Sequence, residues 1–454
     1  MKKSDKYLDK RVLVLGLGRS GYAAAKLMKS LGADVTVNDR GNLEGNPHAA
    51  ELKKIGIRVV GGGHPPDLVD KELAVLIKNP GIPYSNPLVQ KARQLGIRII
   101  TEVEIAYELS DAPFIGITGS NGKTTTTMLL GEMMKGSAAV PIVAGNIGTA
   151  LTGIVGEATD KNVIVAELSS FQLLGTEQFR PKIAVVLNIF DHHLDYHGTV
   201  ENYARAKARI TVNQTADDVL VYNADSERVV SFIAGKTKAR KVPFSMTGRT
   251  EDGAYIEDGA IYFRTERILE CSEMGLPGTH NLQNALAAVA AAKICGVPTA
   301  HIVRILKTFT GVRHRLQYVN VTRGRTVYND SKATNILATS KALTSFPGKS
   351  IVLLAGGLDR GNTFDALIPY LKKADIKAAL LFGETKDKLR DACERAGIAR
   401  VENVENVEQA VPEAFRLSGP GDVVLLSPAC ASWDQYDSFE QRGDIFISEV
   451  NKFR

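Results

Sequence analysis

Short apolar runs alternate with helical patterns along the whole chain, and a glycine-rich or polar turn follows most of them. Uninterrupted apolar runs of this length predict strands that are buried on both faces, as in a parallel sheet covered by helices. The runs lie at 11–15, 35–37, 74–77, 98–100, 114–118, 162–166, 183–187, 326–328, 350–354, 378–382 and 423–426. Strands that alternate with helices in this way predict an α/β fold.

The order of these elements predicts three α/β domains, because 454 residues exceed what a single hydrophobic core usually serves. The predicted domains are 1–101, 102–311 and 312–454. In each predicted domain, polar residues directly follow the strands. They lie at the carboxyl ends of the strands, where doubly wound sheets bind their ligands.

The most informative local pattern is GSNGKT at 119–124, between the strand at 114–118 and a helix predicted at 124–134. Glycines let backbone N–H groups close around phosphate oxygens, and a helix N-terminus favours negative charge. Lys123 can neutralise a phosphate, and Thr124 can offer its hydroxyl to Mg²⁺. Ile117 stands where the strict pattern has glycine, so an ordinary glycine-rich turn is the alternative. The order strand, loop, helix favours a nucleoside triphosphate.

A second glycine pattern, GLGRSG at 16–21, lies between the first strand and an Ala-rich helix that ends near residue 31. Asp39 follows about twenty residues later, at the end of the next strand. This spacing predicts a small Rossmann-like domain that binds a nucleotide diphosphate. The run NPG at 79–81 also follows a strand, and a simple turn explains it equally well.

Glu167 ends the strand at 162–166, close in sequence to the phosphate loop. An acid in that position commonly holds Mg²⁺ directly or through water. The densest cluster of ionisable residues follows at 191–197, where His193 and His197 are four residues apart. On a helix these histidines would share a face, so zinc is one interpretation, although no cysteine is near. A magnesium or phosphate role for one histidine is the other.

Two further residues have no distinguishing pattern around them. Lys207 lies in the run YARAKAR at 203–209, and the residues alone indicate a solvated helix lysine. Cys430 has no Cys-His signature beside it, and a buried apolar thiol is the better interpretation.

Composition narrows the class of protein without identifying it. The net charge of +6 comes from 56 basic and 50 acidic residues spread along the chain, so no nucleic-acid partner is expected. The four cysteines form no CxxC pair, which favours a reducing, cytoplasmic location. We find no signal peptide and no membrane-length apolar run, so no membrane insertion is expected.

Several motifs occur in a fixed order, and together they carry a resemblance. They are GSNGKT at 119–124, ELSSFQ at 167–172, HLD at 193–195, HN at 280–281 with Asn284, RHR at 313–315, DSKATN at 330–335 and SPACASWD at 427–434. The whole chain resembles the Mur ligases, ATP-dependent amino-acid ligases of peptidoglycan synthesis, and within them the members that add D-glutamate. The resemblance implies a Rossmann-like N-terminal domain, a central P-loop ATPase-type domain and a Rossmann-like C-terminal domain.

The resemblance also implies roles for individual residues. The residues implied around the UDP part of UDP-N-acetylmuramoyl-L-alanine are Gly18, Arg19, Ser20, Asp39, Arg40, Asn79 and Gly81, with Asn146 near the reacting end. Those implied to contact ATP are Gly119, Ser120, Asn121, Gly122, Lys123, Thr124, Thr125, Asn281, Asn284, Arg315 and Asp330. Those implied to line the D-glutamate pocket are Lys332, Thr334, Ser432 and Phe439.

The implied catalytic group consists of Lys123, Glu167, His193 and Lys207. Two Mg²⁺ ions are expected, with Thr124, Glu167, His193 and Lys207 as the implied ligands, the last as a carbamate. His192 directly precedes His193 and is the alternative ligand, and Arg360 is the candidate for a basic residue after the glycines at 356–357. A monomer is expected.

The resemblance implies a reaction in which ATP phosphorylates a carboxylate and an amino acid then attacks the acyl phosphate. Three alternatives remain at this point. A dehydrogenase would explain the first glycine pattern but not Lys123 or Glu167, and a nucleotide switch protein would lack its guanine-reading N-K-x-D run. A sister ligase that adds another amino acid would share the same ATP-binding core.

Overall fold

The computed structural model describes residues 5–276 and 278–453, which form two compact units. The first unit extends to Thr308, and the second begins at Phe309. The first unit contains both of the sheets predicted before residue 311. Within the described part of the chain, no helix combines the length and the apolar character that crossing a membrane requires.

The first sheet is parallel throughout, in the order β3-β2-β1-β4-β5. Its strands are β1 (Arg11–Leu15), β2 (Asp34–Asn38), β3 (Arg58–Val60), β4 (Leu73–Lys78) and β5 (Arg98–Ile100). The helices that accompany it are α1 (Arg19–Ser30), α2 (Pro47–Lys54), α3 (Pro87–Gln94) and α4 (Glu102–Leu109). The order reverses at β1, so the turns after β1 and β4 meet at the position where such sheets bind ligands.

The second sheet has the order β14-β13-β12-β11-β10-β9-β6-β8-β7. Its strands are β6 (Phe114–Thr118), β7 (Val140–Gly145), β8 (Asn162–Glu167), β9 (Ile183–Val186), β10 (Val219–Asn223), β11 (Arg240–Ser245), β12 (Ala254–Glu257), β13 (Ala260–Phe263) and β14 (Glu266–Glu270). The strands from β6 to β12 are parallel, and β13 and β14 add antiparallel hairpins at one edge.

Two apolar helices cover the phosphate-loop side of this sheet. The helices of this region are α5 (Lys123–Met134), α6 (Leu151–Ile154), α7 (Ser170–Leu173), α8 (Leu194–His197), α9 (Val200–Ala208), α10 (Glu227–Val229), α11 (Thr279–Ile294) and α12 (Thr299–Thr308). Helix α11 is buried continuously from Asn284 to Ala292, because a run of alanines lets it pack closely between α5 and the sheet. This packing places the first turn of α11 beside the phosphate loop.

The second unit contains a sheet in the order β15-β16-β20-β17-β18-β19. Its strands are β15 (Gln317–Thr322), β16 (Arg325–Asn329), β17 (Ile351–Gly356), β18 (Ile376–Phe382), β19 (Val401–Asn403) and β20 (Val423–Leu426). Its helices are α13 (Ile336–Leu343), α14 (Ile368–Lys373), α15 (Lys386–Arg395), α16 (Val407–Leu417) and α17 (Phe439–Asn451). Only β15 is antiparallel to its neighbour among the described strands of this sheet.

The predicted α/β alternation is confirmed, and every strand predicted from an apolar run is present within one or two residues of its expected bounds. The sequence patterns missed some of the described strands, and apolar strands such as β10 and β13 are among them. They are β3, β7, β10 to β15 and β19. Five of these, β3, β7, β14, β15 and β19, are edge strands, where one backbone edge remains accessible and the apolar signal is often weak.

Candidate functional site

The phosphate loop connects β6 to α5, and its shape is fixed by its neighbours. Gly122 has φ of +81°, and a Cβ atom there would lie 2.2 Å from Oδ1 of Asn284, so glycine is required. The backbone N–H of Ser120 donates to the carbonyl of Asn188 at 2.9 Å, and the N–H of Asn121 donates to Oδ1 of Asn188 at 2.8 Å. The protein's own contacts therefore hold the loop in place.

Two lysines converge on the loop from different helices. The Nζ of Lys123 donates to the carbonyl oxygens of Gly119 and Ser120, at 2.8 and 2.9 Å. The Nζ of Lys207 donates to the same Gly119 oxygen at 2.8 Å and lies 4.6 Å from the ring centre of Tyr203.

The environment of Lys207 differs from the one expected of a helix lysine. Its side chain is only 1% exposed, so the expectation of a solvated lysine is wrong. Burial lowers its pKa well below the usual value, the nearby Lys123 lowers the pKa further, and Glu167 opposes the shift. Lys207 lies four residues after Tyr203 and three after Ala204 on the buried face of α9, and this helical spacing is the signal that could have identified it.

Glu167 ends β8 beside the phosphate loop, because the parallel register pairs it with Ile117 of β6. Its Oε2 accepts a hydrogen bond from the hydroxyl of Thr124 at 2.8 Å, and its Oε1 accepts one from the side-chain amide of Asn146 at 2.8 Å. Three residues that were singled out separately in the sequence therefore form one chain of contacts. Carboxylate and hydroxyl oxygens of this kind fit Mg²⁺, which uses few protein ligands and keeps phosphate oxygens and waters for the rest.

The histidine cluster at 191–197 has two interpretations, a zinc site and a magnesium or phosphate role. No group of three or more His, Cys, Asp or Glu residues that could hold a metal is found among the described residues, and the zinc interpretation stays untested. His193 precedes α8 in the left-handed conformation, with its ring 4.9 Å from that of Phe171. His197 is buried, and its Nε2 lies 3.0 Å from the hydroxyl of Ser170. Magnesium binding by His193 or His192 stays a prediction.

A cavity of about 500 Å³ opens at the ends of β1, β2 and β4. The predicted substrate residues that line it are Gly18, Asp39, Arg40, Asn79 and Gly81. Asp39 accepts the backbone N–H of Leu17 at 2.7 Å and that of Gly41 at 2.8 Å, so its carboxylate shapes the first glycine turn. Asp39, the acid that follows the first glycine pattern, therefore stabilises the glycine turn in addition to its predicted contact with the UDP part of the substrate.

A smaller cavity of about 280 Å³ continues from the first one toward the phosphate loop. The predicted residues on its wall are Arg19, Ser20, Asn79, Gly81 and Asn146. Asn79 and Gly81 line both cavities, and Nη1 of Arg19 donates to the carbonyl of Gly148 at 3.1 Å across the two sheets of this unit. The two cavities thus form one path from Asp39 to Asn146, whose amide contacts Glu167.

Glu102 lies on the wall of the smaller cavity and was not singled out by any sequence pattern. It is fully buried and accepts the backbone N–H of Thr152 at 2.9 Å, and burial raises the pKa of its carboxyl. In the sequence Glu102 resembles any acid in the first turn of a helix. Only the packing of α4 against α6 shows that its carboxyl is buried.

The predicted adenine contacts lie on the other side of the phosphate loop. Asn281 and Asn284 are both nearly buried in the first turns of α11, and their amides are hydrogen-bonded to each other at 3.3 Å. Thr126 of α5 also donates to Oδ1 of Asn284 at 3.3 Å. Helix α11 begins at Thr279, earlier than the predicted start at 282, so both asparagines are helical. Their contact with adenine stays a prediction, as does that of Thr125 with phosphate.

In the second unit, Asp330 follows β16 and is nearly buried. Its Oδ1 accepts the backbone N–H of Leu316 at 2.9 Å, and its Oδ2 is 2.9 Å from the hydroxyl of Ser427. Burial raises the pKa of the carboxyl to about 7, while these hydrogen bonds and the neighbouring Arg315 lower it. Arg315 itself is exposed.

The residues predicted for D-glutamate share one rim of the same unit. The Nζ of Lys332 lies 5.1 Å from the ring centre of Phe439, and the N–H of Thr334 donates to the carbonyl of Lys332 at 2.9 Å. Ser432 is 1% exposed, and its hydroxyl has no hydrogen-bond partner in the part of the chain that the structure describes. A buried orphan hydroxyl is unfavourable, so this one is suited to a ligand.

Arg442 holds this rim together, and no sequence motif pointed to it. Its guanidinium is fully buried and donates to the carbonyl and hydroxyl oxygens of Ser331 at 2.9 and 3.1 Å, and to the carbonyl of Cys430 at 3.0 Å. Burial lowers its pKa to about 10. Its spacing of four and eight residues from Phe446 and Val450, on the buried face of α17, is the signal that could have identified it.

Two other sequence interpretations concern the same unit. Cys430 is buried, and burial raises the pKa of its thiol to about 11, in agreement with an inert apolar cysteine. Arg360 lies with its guanidinium 4.9 Å from the ring centre of the exposed Trp433. Its function as the basic residue after the glycines at 356–357 stays a prediction.

Family models match three parts of the chain. They are described as the Mur ligase MurD-like N-terminal domain, matching residues 10–101, the Mur ligase middle domain, matching 117–292, and the Mur ligase glutamate ligase domain, matching 314–430. These matches agree with the predicted three-domain α/β fold. The predicted boundaries at 101 and 311 remain predictions.

Relatives of the same length carry one name. The chain is 56% identical over 454 residues to a UDP-N-acetylmuramoylalanine–D-glutamate ligase of Geobacillus sp. strain WCH70, and 55% identical over 452 residues to one of Bacillus mycoides, with all of each chain covered. Among solved structures, MurC of Thermotoga maritima gives a TM-score of 0.53 at 21% identity, covering 98% of this chain and all of that one. MurF of Acinetobacter baumannii gives 0.54 at 18%, covering 92% and 91%. These structures share the fold.

Proposed function

The chain belongs to the Mur ligase family, and we propose that it joins D-glutamate to UDP-N-acetylmuramoyl-L-alanine at the expense of ATP. The observation that carries this proposal is the contact chain Asn146–Glu167–Thr124. It connects the inner end of the substrate cavity to the phosphate loop. A substrate whose nucleotide end lies near Asp39 can therefore present its other end where a phosphoryl group arrives.

The UDP group fits the larger cavity at the ends of β1, β2 and β4. Backbone N–H groups at the start of α1 and the side chains of Arg19 and Arg40 supply donors and positive charge for a diphosphate. The Rossmann-like glycine turn would then serve a uridine nucleotide in place of a dinucleotide. The muramoyl-alanine part would extend past Asn79 into the smaller cavity, toward Asn146.

ATP would bind at the phosphate loop, with its phosphates at the N-terminus of α5. Lys123 already lies against the loop through the carbonyls of Gly119 and Ser120, so its ammonium can exchange these contacts for phosphate oxygens. Mg²⁺ fits the oxygens of Thr124 and Glu167 and would neutralise charge on the phosphates. His193 is proposed as a further ligand of this kind.

The reaction we propose has two steps. An oxygen of the substrate carboxylate attacks the γ-phosphorus of ATP, ADP leaves, and an acyl phosphate forms. The amine nitrogen of D-glutamate then attacks the acyl carbon, phosphate leaves, and the nitrogen loses a proton as the peptide bond forms. Lys123 and the loop N–H groups stabilise the charge on the transferred group, and Asn146 keeps Glu167 oriented.

We also propose that Lys207 carries a carbamate. Carbamate formation requires a neutral amine, and both burial and Lys123 favour the neutral form here. The modified side chain would exchange a cation for a carboxylate beside the phosphate loop, at Gly119, and within electrostatic reach of Glu167. The carbamate and the carboxylate of Glu167 would suit a second Mg²⁺, because proteins usually bind this ion through one or two carboxylates together with phosphate oxygens of the substrate.

The second unit would bind D-glutamate. Lys332 offers a cation and Ser432 a buried hydroxyl for the two carboxylates, while Phe439 forms an apolar wall. Asp330 and Arg315 are proposed as further contacts of ATP. We propose that the enzyme works as a monomer in the cytoplasm, where its nucleotide substrates are available.

The test is phosphate release from ATP by the purified chain in the presence of UDP-N-acetylmuramoyl-L-alanine, with one amino acid at a time. We expect turnover that depends on all three substrates together and is supported by D-glutamate. Turnover with another amino acid in place of D-glutamate would contradict the substrate assignment, and phosphate release without the UDP substrate would contradict the reaction itself.

A further inference from the structure

Lys78, the last residue of β4, is a buried cation that no part of the proposed chemistry uses. Its side chain is 1% exposed, and burial lowers its pKa to about 8. No carboxylate forms an ion pair with it in residues 5–276 and 278–453, and its pKa shift has no contribution from a charged neighbour. A buried lysine without a counter-ion is costly, so its hydrogen bonds need an explanation.

All of its acceptors belong to one loop and one tyrosine. The Nζ of Lys78 donates to the carbonyl oxygens of Asn79, Pro80 and Ile82 at 3.2, 3.0 and 2.6 Å. Its fourth contact is the hydroxyl of Tyr196 at 3.3 Å. Three carbonyls of a four-residue segment thus turn toward one ammonium, which sets the course of the backbone there.

Tyr196 holds the same segment from the neighbouring domain. Its hydroxyl donates to the carbonyl of Ile82 at 3.0 Å, so a lone pair remains to accept from Lys78. The Nζ of Lys78 also faces two aromatic rings, 4.9 Å from the centre of Tyr84 and 6.0 Å from that of Tyr196. Aromatic faces of this kind partly compensate a desolvated cation.

The segment held in this way is the one that both substrate cavities share. Asn79 and Gly81 line the cavity beside Asp39 and also the cavity beside Asn146. On the other side, Tyr196 belongs to α8, and its backbone N–H donates to the carbonyl of His193 at 3.1 Å. Lys78 therefore lies between the substrate loop and the segment that carries the candidate magnesium histidine.

We propose that Lys78 and Tyr196 form a clamp that sets the Asn79–Ile82 loop for the diphosphate-bearing substrate, with Tyr196 reaching the loop from α8. Both are positioning residues, since neither lies at the reacting atoms. The proposal rests on the proposed function, because it assumes that a uridine diphosphate binds against this loop.

The experiment compares Lys78→Met and Tyr196→Phe with the unaltered chain. Methionine retains most of the volume of lysine but removes its donors, and phenylalanine removes only the hydroxyl. Lys91→Met is the matched control, because Lys91 also donates to a carbonyl of this domain, that of Pro66 at 2.8 Å, but is half-buried and lines neither cavity. The readouts are the dissociation constants of UDP and of Mg·ADP by calorimetry, and the thermal unfolding midpoint.

We expect Lys78→Met to weaken UDP binding by about tenfold or more, and Tyr196→Phe to weaken it less, since one hydrogen bond contributes about 1 kcal/mol. Mg·ADP affinity should stay within about twofold, because the phosphate loop is untouched. Lys91→Met should change neither. A general loss of stability would not weaken UDP binding while leaving Mg·ADP binding unchanged. If the Lys78→Met protein does not fold, Tyr196→Phe provides the same comparison.

Three different results would overturn the clamp. UDP binding of normal strength in folded Lys78→Met and Tyr196→Phe would overturn the clamp alone. Equal weakening of UDP and Mg·ADP would reduce Lys78 to a general stabiliser and overturn it as well. Failure of the unaltered chain to bind UDP would overturn the proposed function, and the clamp with it.

Discussion

Lys123 and Lys207 share a single acceptor, the carbonyl oxygen of Gly119, at 2.8 Å from each Nζ. Two ammonium groups on one oxygen repel each other, and Lys207, which is the more buried, has the lowered pKa. Lys207 therefore has access to the neutral amine that a carbamate needs.

Replacing Lys123 by alanine should abolish most of the activity. The substitution removes the cation at the transferred phosphoryl group, and we expect turnover to fall by roughly 10²–10³-fold or more with the fold retained. The measurement is phosphate release under saturating substrates, with thermal unfolding as the check on folding. Lys135→Ala, at the exposed end of α5, is the control and should be fully active. A variant of Lys123 that keeps most of its activity would remove this lysine from the mechanism.

Replacing Lys207 by alanine should also abolish activity, and for a reason that can be reversed chemically. If the missing group is a carboxylate held near Mg²⁺, formate or acetate should restore part of the turnover by occupying the space. The control is Glu201→Ala, at an exposed residue at the start of α9, which should keep full activity with or without formate or acetate. Lack of rescue, combined with an unmodified Lys207 by mass spectrometry of the intact chain kept in bicarbonate, would contradict the carbamate.

The second unit should select D-glutamate. An amino acid without a side-chain carboxylate would leave the hydroxyl of Ser432 and the cation of Lys332 without the partner we propose, and discrimination could reach about 10⁴-fold. We expect little turnover with L-glutamate, D-alanine, L-alanine or L-lysine. Lys332→Ala should mainly raise the KM for D-glutamate, while the exposed Lys341→Ala of α13 should not. An equal rise in the KM for the UDP substrate would argue against this placement.

Asp330 should make stability depend on pH in a defined window. Its pKa is raised from 3.8 to about 7, so above about pH 4 the unfolded chain loses a proton that the folded chain keeps. The unfolded state then binds fewer protons, and stability falls as pH rises from about 4 to about 7, by about 1.4 kcal/mol per pKa unit.

Asparagine at this position removes the titration while keeping the shape. We expect Asp330→Asn to be more stable than the unaltered chain at pH 8 and to gain less, or nothing, at pH 5. The measurement is the urea midpoint at both pH values by circular dichroism, with Asp437→Asn, at an exposed carboxyl, as the control. If the difference in urea midpoint between the two proteins is the same at pH 5 and pH 8, the pKa of Asp330 is not raised.

Arg442 should matter both for stability and for the amino-acid site. Arg442→Met leaves buried oxygens of Ser331 and Cys430 without donors, at a cost of about 2–4 kcal/mol. Since these oxygens belong to the loops that carry Lys332 and Ser432, the KM for D-glutamate should rise in protein that remains folded. Arg416→Met, at an exposed arginine of α16, is the control. A lower unfolding midpoint with an unchanged KM would leave Arg442 a purely structural role.

Local sequence was sufficient where a function is carried by consecutive residues. The loop at 119–124 was identified because glycines, a lysine and a threonine must be adjacent to surround a phosphate. Glu167 was found because an acid directly after an apolar strand is visible without any partner. The strands at the predicted apolar runs were found for a similar reason, since an apolar run is visible without its neighbours.

Residues whose significance depends on distant partners were not distinguishable in this way. Lys207 reads as a surface lysine until α9 packs against the phosphate loop, and Lys78 reads as the last residue of a strand until Tyr196 reaches it. Arg442 and Glu102 look like ordinary helix residues. In each case burial, which is a property of packing between elements far apart in sequence, changes the pKa or the hydrogen bonding.

The sequence by itself determined the α/β class, the phosphate loop, the first glycine turn and, through resemblance, the ligase family, because each is written in contiguous residues. Only the tertiary structure decided that Lys123 and Lys207 meet at Gly119, and that Asn146, Glu167 and Thr124 form one chain of contacts. It alone also joined the cavity beside Asp39 and the cavity beside Asn146 at Asn79. The physical reason is that parallel strands bring their carboxyl ends to one edge, where residues separated by tens of positions become neighbours.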